Sequence, residues 1–183
     1  ARVLSIVNVV GSSVARESDD VFYTWAGPEI SVASTKAYTT QLLSLYLLAL
    51  YLGDLKDTIT PEYYSEIIEE LAAIPGKLEE VLKMRGSIEK LAKKLYDRDQ
   101  VFFIGRGMDS SVAYEGSLKL KEISYINSFA IAAGELKHGT IALMEPKTIV
   151  VALATQSKLF DKMVSNIQEV KARNAHVISI AKE

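Results

Sequence analysis

Five short, strand-like apolar runs separated by helix-length segments constrain this chain more than any other feature. They are Val3-Leu4-Ser5-Ile6-Val7, Val21-Phe22-Tyr23, Val101-Phe102-Phe103-Ile104-Gly105, Thr148-Ile149-Val150-Val151-Ala152-Leu153 and His176-Val177-Ile178-Ser179-Ile180. Near-continuous apolar runs read as strands buried on both faces, the habit of parallel sheets. Parallel neighbours need crossovers long enough for a helix, and such crossovers are right-handed. The expected fold class is therefore α/β, a doubly wound parallel sheet with flanking helices.

The segments between the runs carry helix punctuation. Ser34 reads as the N-cap of a helix that ends near Leu52, with Gly53 just beyond its end. The leucines between Leu42 and Leu52 point almost all round, which predicts a buried helix. Thr60, Pro61 and Glu62 open a second helix to about Ala73. Pro75 opens a further amphipathic stretch, broken near Gly86, with Leu78, Val81, Leu82, Ile88, Leu91 and Leu95 on one face. Gly105-Arg106-Gly107-Met108-Asp109-Ser110-Ser111 leads from a strand into a helix. It is either a tight turn capped by Asp109 or Ser110, or a cradle for an anion at the helix N-terminus. The third glycine of a dinucleotide fingerprint is missing. A last helix runs from about Lys158 to Arg173, and Asn174 can end it in a left-handed conformation.

Composition excludes several classes. The 183 residues carry a formal charge of −2 with no basic cluster, so no nucleic-acid partner is indicated. Without Cys there is neither a disulfide nor thiol catalysis in the chain, which fits a reducing compartment. The most apolar run, Leu42 to Leu52, is shorter than the roughly 20 residues a bilayer requires, so no membrane partner is expected. No signal peptide is visible. The chain opens directly on a strand, which predicts a piece of a longer protein, and the expectation is a cytoplasmic enzyme or binding module.

Chemistry concentrates between Tyr114 and Gly139. On a helix, Glu115, Lys119 and Glu122 fall at i, i+4 and i+7 and share one stripe. Val112 and Ile123 border it on one side, Leu118 and Tyr125 on the other. Glu before Lys at this spacing is also the pattern of a surface ion pair. A carboxylate–amine–carboxylate row between apolar flanks instead suggests a cleft wall. Gly134 and Gly139 bracket Glu135-Leu136-Lys137-His138, which reads as a loop with flexible ends bearing an imidazole. The other histidine, His176, reads as a strand-start residue with no chemistry. Ser34, Thr35, Thr39 and Thr40 are capping and packing residues, or hydroxyls and N–H groups offered to a sugar or phosphate.

Glu115-Gly116-Ser117-Leu118-Lys119-Leu120-Lys121-Glu122-Ile123-Ser124-Tyr125-Ile126, followed by Ala133-Gly134-Glu135-Leu136-Lys137-His138-Gly139, resembles the isomerase half of the glutamine–fructose-6-phosphate aminotransferase family. Val32-Ala33-Ser34-Thr35-Lys36-Ala37-Tyr38-Thr39-Thr40-Gln41 resembles a second signature of that family. The resemblance covers essentially the whole chain. It implies two sugar-isomerase (SIS) subdomains of flavodoxin-like topology: residues 1–53 the C-terminal part of the first, 54–98 a helical connector, and 99–183 the N-terminal part of the second. The implied reaction adds ammonia, released from glutamine by a glutaminase domain outside this chain, to fructose 6-phosphate and isomerises the product to glucosamine 6-phosphate.

By the same resemblance, Glu122 moves the proton between C1 and C2. His138 opens the sugar ring and comes from the neighbouring subunit, which implies a homodimer. Lys119 is an active-site lysine, Glu115 supports it, and Val32, Ala33, Ser34 and Thr35 contact the sugar. Neither a metal nor an organic cofactor is implied. The main phosphate loops and a C-terminal lysine of the family fall outside these residues, so the chain alone is expected to be inactive. Asn127, Phe129 and Thr140, in the loop between the two motifs, depart from the family's commonest letters. Two other readings share the fold: a deglycase for fructosamine 6-phosphates, and a non-catalytic module that senses phosphosugars.

Overall fold

The computed structural model describes residues 1–182. It divides into two compact units, Ala1–Arg85 and the remainder from Gly86. In the first unit, β1 (Leu4–Val7) and β2 (Asp20–Tyr23) pair in parallel, with Leu4 opposite Asp20. The segment between them, expected as loop and turn, contains a short helix α1 (Ser13–Glu17). Ser12 caps it, its Oγ accepting from the Ala15 N–H at 3.3 Å. Three further helices follow in this unit, α2 (Lys36–Leu55), α3 (Pro61–Ala72) and α4 (Ile74–Lys83); α5 (Arg85–Ala92) starts at the boundary and belongs to the second unit. Thr60 caps α3 as its sequence predicts, accepting from the Tyr63 N–H at 3.2 Å.

Three expectations about α2 need correction. Ser34 is not its cap; Thr35 precedes the first helical residue and offers no side-chain cap. The Glu29 carboxylate caps it instead, accepting from the N–H groups of Thr35 at 3.3 Å and Ala37 at 2.8 Å and from Ser34 Oγ at 3.1 Å. Those bonds hold the Glu29 carboxyl below the usual carboxylate range, the Ala37 N–H contributing most. Gly53 lies inside the helix, where an added Cβ would stand 3.1 Å from Ile59, so close approach and not chain reversal requires it. Nor is α2 buried all round: Leu50 and Ser44 are buried, while Leu45, Tyr46, Tyr51 and Leu52 are exposed. Among the described residues, no helix is long and apolar enough to cross a membrane.

The second unit has an all-parallel sheet in the order β4-β3-β5-β6. Its strands are β3 (Gln100–Gly105), β4 (Asn127–Ala132), β5 (Ile149–Ala154) and β6 (His176–Ala181). Besides α5, its helices are α6 (Met108–Ser124) and α7 (Phe160–Lys171), and Asn174 beyond α7 is left-handed at φ 61° as predicted. Strand β4 corrects the expected loop between the two motifs. Phe129 explains one departure there: it sits opposite Phe102 and stacks on it at 6.1 Å, with Lys121 Nζ 5.7 Å from its ring centre.

Alternation along the strands gives this sheet two cores. Val101, Ile149, Val151 and Leu153, with the partly buried Phe103, pack with Ala113 and Leu120 of α6. Phe102, Ile104, Val150 and Ala152 pack on the other face with Met163 and Val170 of α7 and with Ala133, Leu136 and Met144.

Candidate active site

Helix α6 is set against the sheet by three small residues. Gly105 lets the chain turn: a Cβ there would meet the Asp109 carbonyl oxygen at 2.4 Å. Gly116 lets α6 lie close on β3, since its Cβ would stand 3.1 Å from Phe103. Ser117 Oγ donates to Ser128 Oγ at 3.1 Å, and Ser128 Oγ donates to the Ser117 carbonyl at 2.5 Å, tying α6 to β4 in a dry environment. The rotation so fixed turns Glu115, Lys119 and Glu122 away from the sheet, on one stripe.

Lys119 Nζ lies 2.7 Å from Glu122 Oε2 and 3.5 Å from Glu115 Oε1. The three side chains are 21–25% exposed, whereas flanking Val112, Ile123 and Tyr125 are 49%, 67% and 92% exposed. This reverses the usual order on an amphipathic helix, where the charged residues are the wetter ones. The ammonium is raised above the ordinary lysine value, first by its short contact with Glu122, while burial opposes the shift. Glu122 Oε2 is closed off from water and makes no well-aligned hydrogen bond, although the ammonium stands at hydrogen-bond distance. A carboxylate held beside an ammonium has the chemistry of a proton acceptor.

His138 ends a six-residue 3-10 turn, Ala133–His138, and is exposed. The flexible-ended loop of the sequence reading is therefore an ordered element. Ala133 and Leu136 are fully buried in the α7-side core, and Gly134 lies inside the turn beside the Arg106 guanidinium. Gly139 follows at φ 154°. A second 3-10 turn, Thr140–Leu143, starts at Thr140. The turn with His138 covers the opposite face of the sheet from α6. No hydrogen bond or ion pair joins His138 to Glu115, Lys119 or Glu122 among the described residues of the chain.

The remaining predicted residues precede α2 in the first unit. Val32 is 83% exposed, Ala33 is buried, Ser34 is half-buried and Thr35 is exposed. The Thr35 and Ala37 N–H groups are already taken by Glu29, so the helix N-terminus does not offer them to an anion. In the second unit, the Gly105–Ser111 turn is also closed. Asp109, 6% exposed, accepts from the Thr155 N–H at 2.7 Å and the Thr155 hydroxyl at 2.6 Å, and Gln156 donates to the Arg106 carbonyl at 2.6 Å. This is the tight turn of the two sequence alternatives, with Asp109 bonded across to Thr155 and not capping its own helix. Among the described residues, no group of three His, Asp or Glu side chains is placed to hold a metal ion. Sequence reasoning missed Glu29 and the Asp109–Thr155 bonds, because contacts across 6 and 46 residues leave no periodic trace.

Comparison with known proteins agrees with this architecture. The SIS domain family matches residues 1–51 and 94–183. A glutamine–fructose-6-phosphate aminotransferase (isomerizing) of Clostridium tetani is 59% identical over all 183 residues, and one of Methanosarcina acetivorans is 48% identical over 178 residues. The chain spans about 30% of the length of these curated relatives. The solved C-terminal domain of glucosamine-fructose-6-phosphate aminotransferase from Francisella tularensis superposes with a TM-score of 0.94 at 43% identity, over 97% of this chain and 50% of that one. With a parallel α/β sheet of the matching topology and a family match over most of its length, the chain belongs to the SIS domain family.

Proposed function

We propose that this chain is the isomerase segment of a longer glutamine–fructose-6-phosphate aminotransferase. Residues 1–53 and 99–183 would be parts of its two SIS subdomains, with 54–98 the helical connector. The substrate is fructose 6-phosphate, and ammonia comes from glutamine through a glutaminase domain beyond these residues. The observation that carries the reading is the water-shielded Glu122 oxygen 2.7 Å from a lysine, on a helix whose apolar flanks are wetter than its charges.

In this reading His138 opens the cyclic sugar by moving a proton from the anomeric hydroxyl to the ring oxygen. Ammonia adds to the C2 carbonyl and water leaves, giving an imine. Glu122 takes a proton from C1 as the imine nitrogen gains one, giving an enolamine; it returns the proton to C2 as the C1 hydroxyl gives up its own, so that C2 keeps the amine and C1 becomes the aldehyde carbon. Lys119, charged throughout, pairs with Glu122 and polarises a sugar oxygen. Glu115 supports Lys119, and Val32 to Thr35 form the sugar-contacting segment; neither metal nor organic cofactor takes part. Within one chain the sheet stands between α6 and the His138 turn, which supports a site completed by a second copy in a homodimer. The setting is the cytoplasm.

Glu122→Gln in the full-length protein tests the assignment. The expected result is a fall in isomerisation on the order of 10²–10⁴-fold with fructose 6-phosphate still bound. Unchanged turnover would remove Glu122 from the reaction.

A further inference from the structure

A 3-10 segment of six residues is poorly stabilised by its own hydrogen bonds. Two buried apolar residues, Ala133 and Leu136, hold its underside. Beyond Leu136, residues Lys137, His138 and Gly139 are exposed. A chain of polar contacts reaches that end from the other elements of the fold. Arg106 Nε, in the turn after β3, donates to Asn166 Oδ1 on α7 at 2.8 Å. Asn166 Nδ2 donates to Glu169 Oε2, one turn along α7, at 3.1 Å. Glu169 Oε1 accepts from Lys137 Nζ at 2.7 Å, and Lys137 is the residue before His138.

Two features separate this chain from an ordinary surface pair. Its hub, Asn166, is 4% exposed, so its amide must be satisfied where water cannot reach. It also meets the turn twice: Lys137 is bonded near the end, and at the start a Cβ on Gly134 would stand 3.4 Å from Arg106 Nη2. A Glu169–Lys137 contact alone, with Lys137 63% exposed, would fix little. Joined through a buried amide to a guanidinium that packs on the start of the same turn, it sets both ends at once.

We propose that Arg106, Asn166 and Glu169 are positioning residues that hold the 133–138 turn and so fix the reach of His138. The inference rests on the function proposed above, in which His138 acts on the substrate. None of the three touches substrate; they act through the backbone of the turn. Misplacing a reacting group by about 1 Å costs up to about 10²-fold in rate.

The test is a double-mutant cycle in the full-length protein, with fructose 6-phosphate and glutamine as substrates. Glu169→Gln keeps the side chain's shape and removes the charge that Lys137 pairs with. The expected result is a fall in kcat of about tenfold with KM little changed. The same substitution in a His138→Asn background should cost almost nothing further, since the group it positions is gone. Lys137→Ala, at the exposed end where folding is not at risk, should show a smaller loss with the same non-additivity. Equal losses in both backgrounds, or no loss in either single variant, would overturn the proposal. A wild-type protein that does not turn over these substrates would instead sink the functional reading itself.

Discussion

Helix α6 and the turn Ala133–His138 carry the two halves of one proposed site, and they are built in opposite ways. Seventeen residues of α6 lie along β3 and β4, registered by Gly116 against Phe103 and by the buried Ser117–Ser128 pair. The turn has six residues, two buried side chains and a polar chain from α7. The acid–base row therefore sits on an element that packing makes rigid. The imidazole sits on one that must be propped. Sites built on regular elements are the more accurately placed, and propped ones depend on their supports.

Substitutions can break or sharpen that contrast. Leu136→Ala empties a fully buried position beneath the turn and should cost about 2–5 kcal/mol in unfolding free energy. Measured at a temperature where the protein remains folded, it should also lower kcat more than KM changes. Gly116→Val forces α6 from β3, because an added Cβ alone would stand 3.1 Å from Phe103. Overpacking of this kind should cost about 1–3 kcal/mol, read by denaturant unfolding. If Gly116→Val lowers kcat further than Leu136→Ala does, the turn is not the softer half.

The smallest effect concerns pH. Lys119 has its pKa raised, so it binds its proton more tightly in the folded protein. Its ion pairs are fully present below the ordinary lysine value and are lost only as pH rises through the raised one. The shape of the pH–rate profile between about pH 6 and 9 should thus be the same for wild type and Lys119→Arg. A shifted alkaline limb would show that Lys119 titrates in that range.

Much of this was legible in the sequence, for physical reasons. Val101–Gly105 and Thr148–Leu153 are apolar on both faces, and both became central strands of a parallel sheet. Strand β4 was not legible: Asn127-Ser128-Phe129-Ala130 lacks a continuous apolar run because an edge strand buries less of its surface. Glu115, Lys119 and Glu122 could be placed on one stripe by spacing alone, and the structure does bring them together. The order of the His138 turn was hidden, since glycines at 134 and 139 look like hinges when only the letters are known. One serves close packing against Arg106 instead. The Glu29 cap and the Arg106–Asn166–Glu169 chain join residues far apart in sequence, and no local pattern announces them.

The central claim is that Glu122 of one copy works with His138 of another. Subunit mixing tests it directly. Glu122→Gln and His138→Asn full-length proteins, each nearly inactive, are combined under conditions that exchange protomers. In a two-fold dimer with shared sites, half the molecules become heterodimers, each with one site carrying both native residues. The account predicts recovery to about a quarter of wild-type activity. A mixture no more active than its separate components would contradict it.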